Sequence, residues 1–396
     1  MINDINSNEI KNDFNKDKFQ NILEKIIQID ERLKKVEEEN KILKQKNDKL
    51  SEEIITLKTK NKSFQETIDK LKQEIESLSL SNEKKDDNLN PLKKIISISE
   101  HSDSVFKVSS FPSENFVSVS WDNSIKIFNK NYKLIQSINN AHNDSIYYVS
   151  VKDEKNFATS SFDNSIKLWE KKNNLFECIE TILNAHSKTI YKIIYNSKGN
   201  IYSCSMDQTI KIWEKKDNNK NYSCTHFLNH KVFVNAFLLL EDYNMIISVG
   251  WDGTYFWDLS NYNLIVKIKN SISLSSNSLD RIDDDRIIVG GGNDHIMKVI
   301  NVKEKKIVFE FDNIFRCYGV LIIKDKDIFI TSGMSNNLRI YSIKNFNCLY
   351  VEENAHNDTI NGISKINNSK IITFSWDHNI KIWEINYEIL NELNLI

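Results

Sequence analysis

The chain has 396 residues, 40% of them apolar and 27% charged, so it can bury the core of one large domain and still carry an extension. Its formal charge of −2 divides into −2 over residues 1–91 and zero over 92–396, and the lack of a basic excess on either part argues against nucleic acid as a partner. Five cysteines (Cys178, Cys204, Cys224, Cys317 and Cys348) make an odd number with no CxxC pair, which reads as buried thiols in a reducing compartment rather than a disulfide framework.

In chain order, MINDINSNEI has no charged-then-apolar signal pattern, and no apolar run approaches the ~20 residues that span a bilayer. A cytoplasmic chain without membrane insertion is the expectation. Residues 1–18 read as a disordered or fraying start, and residues 19–78 as a coiled coil. From Phe19 to Leu78 the apolar residues step by three and four, with Ile22, Ile29, Val36, Leu43, Leu50, Leu57, Phe64, Leu71 and Leu78 at the d positions. Three a positions are Asn40, Asn47 and Asn61, among Phe19, Ile26, Leu33, Ile54, Ile68 and Ile75. An amide at a pairs well only with its symmetry mate, so these asparagines predict a parallel, in-register homodimer. The flanking g-to-e′ pairs agree: Lys25 with Asp30, Arg32 with Glu37, Glu39 with Lys44 and Glu53 with Lys58 all attract. At 1.5 Å per residue the rod would be roughly 90 Å long. The plain alternative is a helix folded back on the domain that follows.

Residues 79–91 contain the aperiodic stretch SNEKKDDNLN and end at Pro91, one of two prolines in the chain, and they read as a linker. From there the apolar period drops to about 2, with short β-branched runs between Asn, Asp, Gly and Ser turns. The strings SWDNSIKIF, SFDNSIKLW, SMDQTIKIW, GWDGTYFW and SWDHNIKIW recur, anchored on Asp122, Asp163, Asp207, Asp252 and Asp377. Asp294 in GGNDHIMKVI and Ser335 in GMSNNLRIY fill the two gaps, which makes seven anchors 41 to 45 residues apart.

This spacing and these residues resemble the WD40 family over residues 92–385. The resemblance implies an all-β, seven-bladed WD40 propeller, here preceded by a long α-helical coiled coil, with residues 386–396 as a C-terminal extension. It also implies a hydrogen-bonded tetrad in each regular blade. His101, His142, His186, His230 and His356 stand 21 or 22 residues ahead of their aspartates. Full sets are His142, Thr159, Asp163 and Trp169; His186, Ser203, Asp207 and Trp213; and His356, Thr373, Asp377 and Trp383. Blade one has Phe128 in the tryptophan slot, blade four has Trp257 one residue early, blade five keeps only Asp294, and blade six keeps Thr331. The fifth and sixth blades are expected to be the softest. Rings of this family close by lending an N-terminal strand to the last blade, which favours Lys93–Ser99 for that role. The C-terminal nonapeptide EILNELNLI is then left for a short helix on the rim.

The His–Asp pairs recur in every regular blade instead of converging on one point, so they read as structural ties rather than as catalysts or metal ligands. No GxSxG, HExxH, P-loop or GxGxxG is present, and Gly290–Gly292 has no following lysine or helix signal. His226, His295 and His378 stand outside the pairs. No enzyme activity, cofactor or metal is expected. The resemblance instead assigns partner binding, of a protein segment or peptide, to the propeller's top face. Two columns report on that face. The residue before each anchor gives Trp121, Phe162, Met206, Trp251 and Trp376, with Met334 before Ser335. The residue five after each histidine gives Phe106, Tyr147, Tyr191, Asn235 and Asn361. The plain alternative is that these rings seal neighbouring turns. The expected function is a dimeric, non-catalytic adaptor; the alternative is a G-protein β-like subunit whose helix pairs with a separate small helical chain.

Overall fold

The structure, a computed structural model, describes residues 29–54, 56–60, 62, 90–215, 221–269, 278–292, 294–313 and 315–392. Residues 1–28, 63–89 and 393–396, and with them Asn61, most of the expected linker and the ends of the expected coiled coil, lie outside the described residues. The chain divides into a unit spanning Met1–Lys85 and a unit spanning Asp86–Ile396.

In the first unit, residues 29–54 and 56–60 form an α-helix. Every described residue of it is exposed, including the apolar stripe of Ile29, Leu33, Val36, Leu43, Leu50, Ile54 and Leu57. Asp30 pairs with Lys34 one turn on, at 2.7 Å.

The second unit is a seven-bladed propeller of four-stranded antiparallel sheets. In six blades the strands follow one another from the inner to the outer edge, as in blade one: Val105–Ser110, Phe116–Ser120, Ile125–Phe128 and Leu134–Ile138. The seventh takes Ile360–Lys365, Lys370–Ser375 and Ile380–Ile385 from the end of the chain and its outer strand, Leu92–Ile98, from the beginning. That strand pairs along its length, from Leu92 opposite Ile385 to Ile98 opposite Ile380. The C-terminal segment is thereby spare, and Tyr387–Glu392 is a short helix that sinks Leu390 and Ile389 into the protein, with the Asn386 side chain accepting from the Glu388 and Ile389 amides at 3.1 and 3.3 Å.

The apolar core is partitioned. Seven buried clusters each join two adjacent blades, as where Val117, Val119, Ile125 and Ile127 of blade one meet Ile146, Val149, Phe157 and Trp169 of blade two. Each sheet is apolar on both faces because it has a neighbour on both sides, and the ring lets every blade bury what it could not bury alone. The turn behind each anchor puts the next residue at positive φ, which accounts for the asparagines found there. Asn123, Asn164 and Asn336 sit at φ of 59° to 64°, where asparagine is among the few tolerated side chains. The Asp122 carboxylate accepts from the Ser124 amide, at 2.9 Å, and fixes the same turn.

One expectation is corrected. Cys204 and Cys317 are buried, but Cys178, Cys224 and Cys348 are exposed. These three sit on outer strands, opposite Trp169, Trp213 and Tyr341. An outer strand has no fifth strand beyond it, so an isolated cysteine in a β-like run does not imply burial there.

Candidate functional site

The tetrads form the frame under the top face. In blade two His142 Nδ1 lies 3.0 Å from Asp163 and Nε2 2.7 Å from Thr159 Oγ1, which also accepts from Trp169 Nε1 at 2.9 Å. Blade three repeats this with His186, Asp207, Ser203 and Trp213 at 2.9, 2.7 and 2.8 Å, and blade seven with His356, Asp377, Thr373 and Trp383 at the same three distances. Blade one keeps three members, His101 to Asp122 at 2.8 Å and to Ser118 at 2.7 Å, while Phe128 stacks on Phe116 with 4.8 Å between centroids.

Blade four is rewired. The shorter turn opposes Gly250 to Gly253, whose φ of 142° and absent Cβ permit the tight approach, and this brings the early Trp257 to Ser248 Oγ at 2.8 Å. His230 Nε2 also reaches Ser248, at 2.9 Å, but its Nδ1 is buried without a partner. Asp252 has turned to the Tyr255 hydroxyl at 2.9 Å and to Lys267, and the imidazole lies against the Tyr255 ring instead, 4.0 Å between centroids.

Blade six contains a tie that the sequence reading missed. Asn313 occupies the slot 22 residues ahead of Ser335, is fully buried, and accepts from the Tyr341 hydroxyl at 2.8 Å and from Thr331 at 3.4 Å. A position-by-position match to the other blades would have found it, since Tyr341 stands in the tryptophan slot. Blade five has no such tie among the described residues: Asp294 pairs with Lys298 at 2.8 Å, and its first two strands, Leu279–Arg281 and Arg286–Val289, are short.

Burial lowers the pKa of His101, His142, His186, His230 and His356. Hydrogen bonds to their aspartates pull four of them back without overcoming it, and His230, which has Asp252 near but not bonded to it, falls to about 3. For Asp122, Asp163, Asp207 and Asp377 burial alone would raise the carboxyl, but the histidine hydrogen bonds hold it below its ordinary value. The folded state therefore holds neutral imidazoles beside ionised carboxylates. An unfolded chain takes up protons on these histidines below about pH 6.5 that the folded chain refuses, so their contribution is complete above that pH and is lost as the pH falls towards the folded values. The carboxylates act the same way only below about pH 4, which leaves the window from 7 to 5 to the histidines. The urea midpoint should hold steady above pH 7 and fall between pH 6.5 and 5, with His230 alone contributing about 2 kcal/mol of the loss. A midpoint unchanged across that window would contradict neutral buried imidazoles.

On the face above this frame, the two columns have different origins. The residues before the anchors are turn residues, and Trp121, Phe162, Trp251, Met334 and Trp376 are exposed by 37 to 54% while Met206 is half-buried. The second column consists of β-bulge residues. Phe106, Tyr147, Tyr191, Asn235 and Asn361 each sit where the inner strand slips one residue against its neighbour, and a bulge turns the extra side chain out of the ladder. Blade six has the same bulge with Tyr318, five residues after Asn313, which the sequence reading also missed. Asn361 is buried and donates to the Val105 carbonyl at 2.9 Å, so it joins blades seven and one rather than presenting itself.

The aromatic members meet. Trp376 lies 6.3 Å from Trp121, Trp121 stacks on Phe106 at 4.8 Å, Phe106 meets Tyr147 edge-on at 4.9 Å, and Tyr147 touches Tyr191 and Phe162 at 5.6 and 6.4 Å. They make a continuous arc over blades seven, one, two and three. A second, smaller patch pairs Trp251 with Phe233 at 5.5 Å on blade four. Among the described residues no cluster of three His, Cys, Asp or Glu could hold a metal ion, and no helix is long and apolar enough to cross a membrane.

Comparison with known families gives the repeats their class. Residues 92–129, 132–170, 176–214 and 346–384 match the family model for the WD domain, G-beta repeat, so the chain carries WD40 repeats on a seven-bladed propeller. The first matched stretch opens with the strand that completes blade seven, because the sequence repeat is offset by one strand from the structural blade. The stretches outside the match include blades four and five and the first three strands of blade six, where the tetrad is rewired, absent or replaced. No curated protein matches the chain.

Proposed function

We propose that this chain is a non-catalytic, two-headed interaction scaffold. WD40 propellers generally mediate protein–protein contact, and here the top face would take a protein segment along the aromatic arc while the N-terminal helix pairs with a second copy. The observation that carries the reading is the arc itself. Trp121, Phe162 and Trp376 stay 37 to 49% exposed although they touch one another or their ring neighbours, and large aromatic rings left in contact with water on a pre-built frame are the anchors that most often dominate interfaces. The helix supports the second half. Its a and d side chains, Ile29 to Leu57, are exposed in the single chain, and such a seam finds a matched surface in another copy in register, with Asn40 and Asn47 facing their mates. Pairing would hold two top faces on one rod, so weak contacts to a repetitive or dimeric partner gain avidity.

The arc is tested by replacing Trp121→Ala and Trp376→Ala together. Loss of their ring contacts should cost about 1 kcal/mol each, a melting shift of a few degrees. Proteins captured from a lysate by the wild-type propeller and identified by mass spectrometry should be absent with the double variant. Undiminished capture would remove the arc from the interface, and collapse of the fold would make the rings structural.

A further inference from the structure

The lumen of the propeller is charged. Six inner strands carry a bulge, and the residue immediately after it is Lys107, Tyr148 and Lys192 on blades one to three, all three lining the channel, against the small Ala236, Gly319 and Gly362 on blades four, six and seven. Three long side chains thus reach across a ring whose other side is nearly bare. It stays bare for a steric reason, since a Cβ on Gly319 would come within 2.5 Å of Ser332 Oγ and 2.7 Å of the Gly362 Cα. Below this ring lies a chamber of about 400 Å³, bordered by both lysines, by Lys365 at its lower end and by a single carboxylate, Asp280 of blade five.

Both upper ammonium groups are drawn to the same point. Lys107 Nζ lies 5.1 Å from the centre of the Tyr148 ring and Lys192 Nζ lies 5.8 Å from it. Among the described residues no carboxylate is within ion-pair distance of either. Lys107 donates to Ser364 Oγ at 3.3 Å, while Asp280 is occupied by the Arg281 and Ile322 amides at 2.8 and 3.3 Å. Three of the hydroxyls are spent as well: Ser109, Ser110 and Ser364 give their protons to the Val149, Lys365 and Val108 carbonyls of adjacent blades. The charged donors facing the chamber are ammonium groups. Burial pulls Lys107 down to about 7 and lowers Lys192, and the one carboxylate near them, Asp280, offsets this without overcoming it, so two ammonium groups share a single counter-charge. An enclosed cation whose charge is only partly matched is costly to hold, whereas methionine would fill the same space at no such cost.

We propose that the chamber binds a phosphate group, held between Lys107 and Lys192 beneath the top face. A phosphate brings the two negative charges that the lysines lack and accepts from both ammonium groups, and its other oxygens face Lys365. The site is separate from the aromatic arc and does not depend on partner binding there.

The test uses the full-length chain dialysed into phosphate-free chloride buffer and titrated calorimetrically with inorganic phosphate, and separately with inositol hexakisphosphate, at matched ionic strength. A saturable single-site heat is expected, with the melting temperature raised by about 3 °C at ten times the Kd. Response to inorganic phosphate shows that the free ion suffices; response to the inositol ligand alone shows that an organic phosphate is required, and either supports the site provided that it is lost when Lys107→Met and Lys192→Met are combined. Asp280→Asn, which removes the repelling carboxylate, should tighten binding by about threefold or more, and it keeps the proposal testable if the double variant does not fold. Absence of a saturable heat with both ligands in the wild type, or equal affinity in the double lysine variant, would overturn it.

Discussion

A chain that begins at residue 100 should fail to form a stable ring, whereas one that begins at residue 90 should melt like the full-length protein. The ten residues that differ include the whole outer strand of blade seven, from Leu92 opposite Ile385 to Ile98 opposite Ile380. Leu92 and Ile98 are 1 and 7% exposed and belong to the clusters that join blade seven to blades six and one, so their loss alone removes about 4 kcal/mol of burial. It also strips the start of the chain of its latch, where Asn90 accepts from the Tyr350 hydroxyl at 2.6 Å and its amide reaches Glu352 at 3.1 Å. The exposed edge left on Ile380–Ile385 would then invite association. Circular dichroism melts of the two truncations should differ by at least about 10 °C, or the shorter should aggregate; equal melting temperatures would mean that the ring does not depend on this closure.

His186→Leu should cost about 3 kcal/mol, and His230→Leu less than about 1, although both imidazoles are buried in equivalent slots. His186 is bonded on both sides, to Asp207 at 2.9 Å and Ser203 at 2.7 Å, with Thr209 Oγ1 at 3.1 Å. Its removal leaves a half-buried carboxylate without its main partner. His230 holds one bond and carries an unpartnered Nδ1, while Asp252 is already satisfied by Tyr255 and Lys267. Leucine there forfeits little and removes a buried polar atom. Urea denaturation of the two variants checks the contrast, and equal losses would mean that the blade-four rewiring has no energetic content.

The sevenfold count was legible because one backbone requirement recurs: a tight turn that carries an aspartate in six blades, with a residue at positive φ behind it that is Asn, Gln, Gly or His. Where the turn changes length the letters shift. Blade four shortens it by one residue and blade five is irregular around Gly290–Gly292, so the anchor column drifts although the sheets remain. Asn313 and Tyr341 do the work of histidine and tryptophan in blade six with different side chains, and a search for the usual four residues passes over them, and with them Tyr318. The lumen lysines were invisible for another reason. In IYKIIY and VFKVSS the lysine alternates with apolar residues as any solvent-facing one would, and only ring closure turns that face inward. The exposed cysteines show the converse, an apolar-looking strand that has no neighbour on its outer edge.

The helix remains the part of the molecule whose surface most demands a partner, since Ile29, Leu33, Val36, Leu43, Leu50, Ile54 and Leu57 are each about half exposed. Light scattering on the purified full-length chain, compared with residues 90–396, tests the two-headed scaffold most directly. The account predicts twice 46.4 kDa for the full chain and a monomer for the propeller alone. A full-length chain that scatters as a single 46.4 kDa particle would contradict it.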